Sequence, residues 1–129
     1  MTTDEDLVAQ AIQAQKRAYA PYSHFAVGAA LLGKSGRVYT GCNVENASYS
    51  MTICAERTAV VKAVSEGERE FEALAVVTDN GVAPCGACRQ VLAEFGPEMR
   101  VLIATPQSLV SECTVSDLLP GAFLPQDLP

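Results

Sequence analysis

The chain has 129 residues and a formal charge of −6, because 15 acidic residues outnumber 9 lysines and arginines. A chain of this length forms one hydrophobic core, and we expect residues 1–129 to make a single domain. Scattered basic residues on an acidic chain give no binding surface for a polyanion, so we expect neither nucleic acid nor a membrane as partner. The acidic start Met1–Asp6 lacks the positive charge of a secretory signal, which predicts a cytoplasmic protein.

The first half of the chain predicts one helix followed by a β-hairpin. Thr3 and Asp6 have the spacing of a capping box, and the helix that they open should end before Pro21. The apolar side of this helix is predicted to consist of Leu7, Val8, Ala11, Ile12 and Ala18. Two stretches, Phe25–Leu32 and Arg37–Val44, flank a glycine-rich turn and predict two paired strands.

The second half of the chain predicts helices that alternate with short strands. The predicted helices span residues 54–66 and about 86–95. The predicted strands are Leu74–Thr78, Arg100–Thr105 and Leu109–Val115. Crossover helices before the third and fourth strands predict a three-layer α/β/α sandwich with a mixed, roughly five-stranded sheet.

Three of the five cysteines lie at the starts of the second and third predicted helices, in Cys54-Ala55-Glu56 and Pro84-Cys85-Gly86-Ala87-Cys88. Thiolates two residues apart at a helix N-terminus can share one ion, and a third thiolate from another helix leaves one corner of a tetrahedral zinc site open. Helix N-termini favour thiolates, and Arg57 is placed to offset their excess negative charge. The only histidine, His24, is expected to be a surface residue.

An open zinc site with a carboxylate beside it indicates hydrolytic chemistry. Glu56 belongs to the first turn of its helix, where its side chain can reach past the helix end and act as a proton shuttle. Two alternatives stay open for the cysteines: a redox pair, and a structural zinc site with an unidentified fourth ligand. Cys42 and Cys113 have no spaced partner and are expected to be buried and unreactive.

Further segments resemble a known enzyme family. A His or Cys, then x-Glu, then Pro-Cys-x-x-Cys is the signature of zinc deaminases that act on nucleobases. Gly41–Tyr49 and Leu118–Phe123 closely resemble the short, homotetrameric type of cytidine deaminase, and the likeness extends from Tyr19 over almost the whole chain. Cys54 stands where the nucleic-acid-editing and dimeric relatives have His, which favours the tetrameric nucleoside enzyme.

The resemblance implies a zinc-dependent hydrolase of pyrimidine salvage. Such an enzyme converts cytidine and 2′-deoxycytidine to uridine and 2′-deoxyuridine and releases ammonia. Cys54, Cys85 and Cys88 would hold one Zn²⁺ per chain, zinc-bound hydroxide would attack C4 of the base, and Glu56 would shuttle protons. Nucleoside-antibiotic deaminases share the zinc motif and are the nearest alternative.

The resemblance also implies how the nucleoside is bound. Asn43 and Glu45 match a ribose-binding pair, which argues against the antibiotic deaminases. Phe25 matches an aromatic residue that packs on the pyrimidine, and Ala55 a residue whose backbone faces the base.

Two further aromatic residues are expected to act across a subunit boundary. Phe123 matches a C-terminal aromatic that completes a neighbouring subunit's pocket, and Tyr49 is expected to contact substrate in the same way. The active sites would then be shared within a homotetramer. The hydrophobic fraction of 49%, at the upper end of the usual range of about 45–50%, agrees with buried subunit interfaces.

Overall fold

A mixed five-stranded sheet forms the centre of the computed structural model, which describes residues 1–129. The strands are β1 (Gly28–Gly33), β2 (Val38–Cys42), β3 (Phe71–Val77), β4 (Arg100–Ala104) and β5 (Leu109–Thr114). Their order in the sheet is β2-β1-β3-β4-β5. Strands β3 and β4 are parallel, and every other neighbouring pair is antiparallel. The predicted mixed sheet is therefore confirmed.

Helices cover both faces of the sheet. They are α1 (Asp4–Gln15), α2 (Ala55–Ser65), α3 (Gly86–Glu94) and the short α4 (Val115–Leu118). Because side chains alternate along a strand, β1 supplies both hydrophobic layers. Ala30 and Leu32 pack with α1, whereas Ala29 and Leu31 pack in the larger cluster that contains α2 and α3. The α/β/α sandwich is confirmed, and none of its helices has the length and hydrophobicity needed to cross a membrane.

Helix α1 begins as predicted and ends earlier. Thr3 and Asp6 form the reciprocal hydrogen bonds of a capping box. The inclusion of Ala18 was wrong, because the helix ends at Gln15. The chain then turns so that Tyr19 can form an isolated bridge with Val44, beside the end of β2.

The strand boundaries differ from the predicted ones at two places that matter for the site. Strand β1 begins at Gly28, so Phe25–Val27 lies outside the sheet, although its apolar residues predicted strand. The side chain and the backbone N–H of Asn43 both bond to this segment, which has no regular strand pairing. Strand β3 begins at Phe71, three residues before its predicted start, where it pairs with Gly33 across a bulge.

Two glycines let helices lie directly on the sheet. A Cβ atom on Gly28 would stand 2.1 Å from the carbonyl oxygen of Ala11 and 2.4 Å from the nitrogen of Gln15. A Cβ on Gly41 would stand 2.5 Å from the carbonyl oxygen of Ala55. The last turn of α1 and the first turn of α2 therefore contact the strands through glycine at the same end of the sheet.

Candidate active site

Three cysteine sulfurs converge between the starts of α2 and α3. The Sγ atoms of Cys54 and Cys85 are 3.9 Å apart, those of Cys85 and Cys88 are 3.5 Å apart, and all three lie within 4.8 Å of one another. Zn–S bonds of about 2.3 Å in a tetrahedral site place sulfurs about 3.8 Å apart. The donor set and its spacing therefore fit one zinc ion.

Helix geometry explains why these sulfurs meet. Cys54 is the N-cap residue of α2 and Cys85 is the N-cap residue of α3, while Cys88 lies in the first turn of α3. Neither N-cap side chain makes a capping hydrogen bond. Both helices thus direct the positive ends of their dipoles at the sulfurs, which favours thiolates and metal binding.

Arg57, the residue expected to offset the negative charge of the thiolates, contacts the cluster at Cys54. Its Nη2 donates to the carbonyl of Thr52 at 3.1 Å and lies 3.8 Å from Sγ of Cys54. Hydrogen bonds from the Cys88 thiol and then from Arg57 lower the pKa of Cys54 to about 5, and the same ionised sulfur raises the pKa of Cys88. The cationic side chain thus favours negative charge on Cys54.

Glu56 is a buried carboxyl group beside the cluster. It is the second residue of α2, and only 4% of its surface is exposed. Burial raises its pKa to about 7, and the nearby Cys54 acts in the same direction. A carboxyl group in this environment can accept and release a proton near neutral pH.

A cavity of about 300 Å³ opens beside Glu56. This volume is at the lower end of the range of about 300–1,000 Å³ that is usual for small-molecule sites. Seven of the residues named from the sequence line it together: Phe25, Asn43, Glu45, Cys54, Ala55, Glu56 and Cys85. The motifs of distant segments therefore converge on one space.

Asn43 holds the cavity wall that carries Phe25. Its Oδ1 accepts from the backbone N–H of Val27 at 2.9 Å, and its Nδ2 donates to the carbonyl of Phe25 at 2.8 Å. The side chain is buried. One amide hydrogen of Nδ2 remains available to a ligand.

Glu45 holds the turn that precedes Phe25. Its Oε1 accepts from the backbone N–H groups of Tyr22 and Ser23 at 3.0 and 3.1 Å, and its Oε2 accepts from the Ser23 hydroxyl. The hydrogen bond from that hydroxyl lowers the pKa of Glu45. The carboxylate is therefore ionised at neutral pH and retains lone pairs that can accept from a ligand.

Tyr49 and Phe123 do not line this cavity in a single chain. Tyr49 is 74% exposed and lies in an adjoining hollow that it shares with Glu45. Phe123 is 55% exposed, and its carbonyl accepts from Gln90 on the outer side of α3. Both aromatic rings are free to contact another chain.

Several other lining residues were not identifiable from the sequence. They are Ser23, Val27, Thr52, Val76, Thr78, Val82 and Ala83. Val76 lies at the end of β3 and Thr78 directly follows it, and apolar and β-branched residues are typical of any buried strand. Only the strand order, which places the end of β3 beside the start of β1, could have identified them.

Comparison with known proteins agrees with this site. Residues 1–105 match the family model for the cytidine and deoxycytidylate deaminase zinc-binding region. Cytidine deaminases of Sporosarcina psychrophila and Halalkalibacterium halodurans are each 56% identical to the chain, over 96% and 95% of it and 93% and 95% of their own lengths. The crystal structure of cytidine deaminase from Burkholderia pseudomallei superposes with a TM-score of 0.91 at 49% identity, covering 94% of this chain and 99% of that one.

The sandwich, the thiolate cluster and the adjacent buried carboxyl group define a zinc-dependent hydrolase. The chain belongs to the cytidine and deoxycytidylate deaminase family, and its cofactor is zinc. The family and the short chain type that the motifs indicated are thereby confirmed.

Proposed function

We propose that this chain, acting as one domain over residues 1–129, hydrolyses cytidine and 2′-deoxycytidine to the corresponding uridines and ammonia in pyrimidine salvage. The observation that carries the proposal is the cavity in which Glu56 lies beside the Cys54–Cys85–Cys88 cluster. The names of the similar full-length enzymes support the same substrate. We place the reaction in the cytoplasm.

Cys54, Cys85 and Cys88 would hold the zinc ion, which when bound supplies an activated water as the nucleophile for C4 of the base. Glu56 would take a proton from this water and deliver it to N3 of the pyrimidine, which would make C4 more electrophilic. The Glu56 carboxylate would then take the second proton, from the hydroxyl added at C4, and pass it to the departing amine, so that the C4–N bond breaks as the C4 carbonyl forms. One water is consumed and one ammonia released, and the C4–N bond is replaced by a carbonyl.

The remaining polar groups fit a neutral nucleoside. Phe25 packs on the pyrimidine, and the first turn of α2 at Ala55 directs backbone N–H groups at the base. Asn43 and Glu45 would bind sugar hydroxyls with the hydrogen-bonding capacity that their contacts leave free. No lysine or arginine lines the cavity, and this favours nucleosides over nucleotides, whose phosphate needs a cation.

Zinc analysis combined with four substrates tests the proposal. We expect about one zinc per chain, turnover of cytidine and deoxycytidine, and little turnover of CMP or free cytosine. A structural zinc module would contain the metal and turn over none of the four. That result would refute the enzymatic role.

The Glu56→Gln variant tests the proton shuttle. It keeps the shape of the side chain and removes the proton acceptor, so kcat should fall by about 10²–10⁴-fold while the zinc content stays the same. Glu94→Gln, on an exposed glutamate at the end of α3, is the matched control and should remain fully active. Activity near that of the parent in Glu56→Gln would rule out the shuttle.

We further propose that the enzyme is a homotetramer in which Tyr49 and Phe123 reach a neighbouring subunit's cavity. Exposed apolar side chains support this, because Tyr22 and Tyr49 stack edge to face beside the cavity entrance and Met51 lies next to them in sequence. Phe123 is equally exposed on the C-terminal segment. Burying such residues between copies removes apolar surface from water.

Mixing two inactive variants tests the shared site. Phe123→Ala keeps Glu56, and Glu56→Gln keeps Phe123, so a mixed oligomer assembled from both would contain some complete cavities and recover activity. We expect this recovery only after the subunits are dissociated and reassembled together. No recovery from verified mixed tetramers, or full activity of Phe123→Ala alone, would contradict the shared site.

Phe123→Ala is a more specific test than removal of the C-terminal segment from Leu118 onward would be. Leu118, Leu119, Ala122 and Leu124 pack against the larger hydrophobic cluster, and the Leu118 carbonyl accepts from Arg89 at 2.8 Å. Removing the segment would therefore destabilise the fold as well as the cavity. Phe123→Ala changes only an exposed ring.

A further inference from the structure

We propose that Gln15 is a positioning residue that fixes the Phe25 wall of the cavity against the loop leading to Cys85. Gln15 itself lies outside the cavity. The inference rests on the proposed function, because it assigns Phe25 to binding of the base.

The amide of Gln15 bridges two segments that are distant in sequence. Its Nε2 donates to the carbonyl of Ala26 at 3.1 Å and to Oδ1 of Asp79 at 3.0 Å. Both amide hydrogens are thereby used, and the side chain is only 8% exposed. A buried amide with two fixed acceptors holds its partners at a defined separation.

The first of these segments carries the aromatic wall. Because β1 begins only at Gly28, side chains supply the hydrogen bonds that a neighbouring strand would supply further along. Asn43 binds the carbonyl of Phe25 and the N–H of Val27, and Gln15 binds the carbonyl of Ala26 that points the other way. Two amide side chains thus fix three consecutive residues from opposite sides.

The second segment carries the opposite wall. Asp79 directly follows Thr78, a buried residue that lines the cavity. The Thr78 hydroxyl accepts from the N–H of Val82 at 3.1 Å, and Val82 also lines the cavity. From there the chain reaches Cys85 three residues later, so a shift of Asp79 moves the wall that ends in a metal-binding sulfur.

The position of Gln15 is itself fixed by backbone packing. The nitrogen of Gln15 lies so close to Gly28 that a Cβ there would stand 2.4 Å from it. The end of α1 therefore packs directly on the backbone of β1. The side-chain amide of Gln15 connects the end of α1 to both cavity walls. We therefore expect substrate binding to depend on Gln15.

Steady-state kinetics of Gln15→Met with cytidine tests the proposal. The substitution keeps the length of the side chain and removes both donors, leaving Ala26 and Asp79 without this partner. We expect KM to rise about fivefold to thirtyfold, with kcat changed less than about twofold, because Phe25 binds ground state and transition state alike. The dissociation constant of uridine, measured by calorimetry, should rise in parallel, and the zinc content should not change.

Three further variants make the test decisive. Gln15→Arg supplies donors for both acceptors and should restore a KM close to that of the parent. Gln13→Met, at an exposed glutamine on the same helix, should have no effect. Asp79→Ala removes one acceptor only, so it should raise KM in the same direction by less, and it decides the matter if Gln15→Met does not fold.

Two results would overturn the positioning role in an active parent enzyme. One is an unchanged KM in Gln15→Met, or in Asp79→Ala where that variant decides. The other is a loss of kcat and zinc together, which would indicate general damage to the fold. If the parent protein itself does not deaminate cytidine, it is the proposed function that fails.

Discussion

Arg57 shows how one side chain can set the charge of a metal centre. Three thiolates carry one more negative charge than a divalent cation neutralises, and Arg57 is the cation in contact with them, at Cys54. The ionised sulfur in turn raises the pKa of Arg57. The backbone carbonyl of Thr52 accepts a hydrogen bond from the same guanidinium and helps to hold it in place.

Removing this cation should weaken metal binding. We expect Arg57→Gln to lower zinc affinity by about 10–100-fold, the usual effect of losing a group that orients and charges a ligand. Competition with a zinc chelator measures the change. Arg69→Gln, on an exposed arginine beyond α2, serves as the control, and equal affinities for both variants would show that Arg57 has no role in metal binding.

Single residues were predictable from the sequence where their chemistry is restrictive. Few proteins need three cysteines at two helix starts with a glutamate beside one of them, so the convergence of Cys54, Cys85 and Cys88 could be expected. Gln15 and Thr78 carried no such signal, because a glutamine at a helix end and a threonine after an apolar strand occur for many reasons. The contribution of Gln15 depends on contacts with segments more than ten residues away.

The starts of α2 and α3 depend on the metal more than any other element does. Most helices begin with a side chain that caps the free N–H groups, and replacing such a cap by alanine costs about 0.5–2 kcal/mol. Cys54 and Cys85 occupy these N-cap positions without making a capping bond. Coordination of zinc by these sulfurs would therefore hold two helix ends that have no cap of their own.

Zinc removal should loosen these two ends first. At free zinc of about one hundred times its dissociation constant, the ion stabilises the fold by about 2.7 kcal/mol, so chelation should lower Tm measurably. Hydrogen exchange should accelerate at Thr58 and Arg89, whose N–H groups donate to the carbonyls of Cys54 and Cys85, and stay slow at Leu74 and Leu102 in the sheet centre. Uniform acceleration over the chain, or none at the helix starts, would contradict this local dependence.

The type and order of the elements were predictable from their hydrophobic periodicity, whereas several ends were not. The capping box correctly marked the start of α1, because its two hydrogen bonds are local. The end of α1 depends on the bridge between Tyr19 and Val44, and the start of β1 depends on Asn43. Both of these contacts join segments that are far apart in sequence.

At the scale of the whole molecule, an ion-pair network links helix α1 to strands β4 and β5. Arg100 on β4 contacts both carboxylate oxygens of Asp4, at 2.8 and 3.1 Å, and Glu112 on β5 at 3.2 Å. The hydrogen bond from Arg100 lowers the pKa of Asp4. The three side chains are between 41% and 44% exposed, so solvent screens the network.

This network should make a small, pH-dependent contribution to stability. A lowered pKa means that the folded state favours the carboxylate, so the contribution is present at neutral pH and is lost as the pH falls through the pKa of folded Asp4. Asp4→Asn should reduce the free energy of unfolding by less than about 1 kcal/mol at pH 7, and the difference from the parent should vanish in strong acid.

Urea unfolding of both proteins between pH 7 and pH 3 measures the difference. Glu5→Gln is the control for the loss of one negative charge from the first turn of α1, because Glu5 lies in that turn and makes no ion pair. A difference between Asp4→Asn and the parent that persists at the lowest pH would have a cause other than the charge of Asp4.

The cavity and the hairpin turn between β1 and β2 lie at opposite ends of β1. The cavity lies where β1 begins and β3 ends, whereas the hairpin turn after Gly33 lies about 17 Å away along the strand. Gly36 in that turn has open space around it. A short peptide tag inserted there would leave the catalytic end intact, so the enzyme offers a natural attachment point for immobilisation.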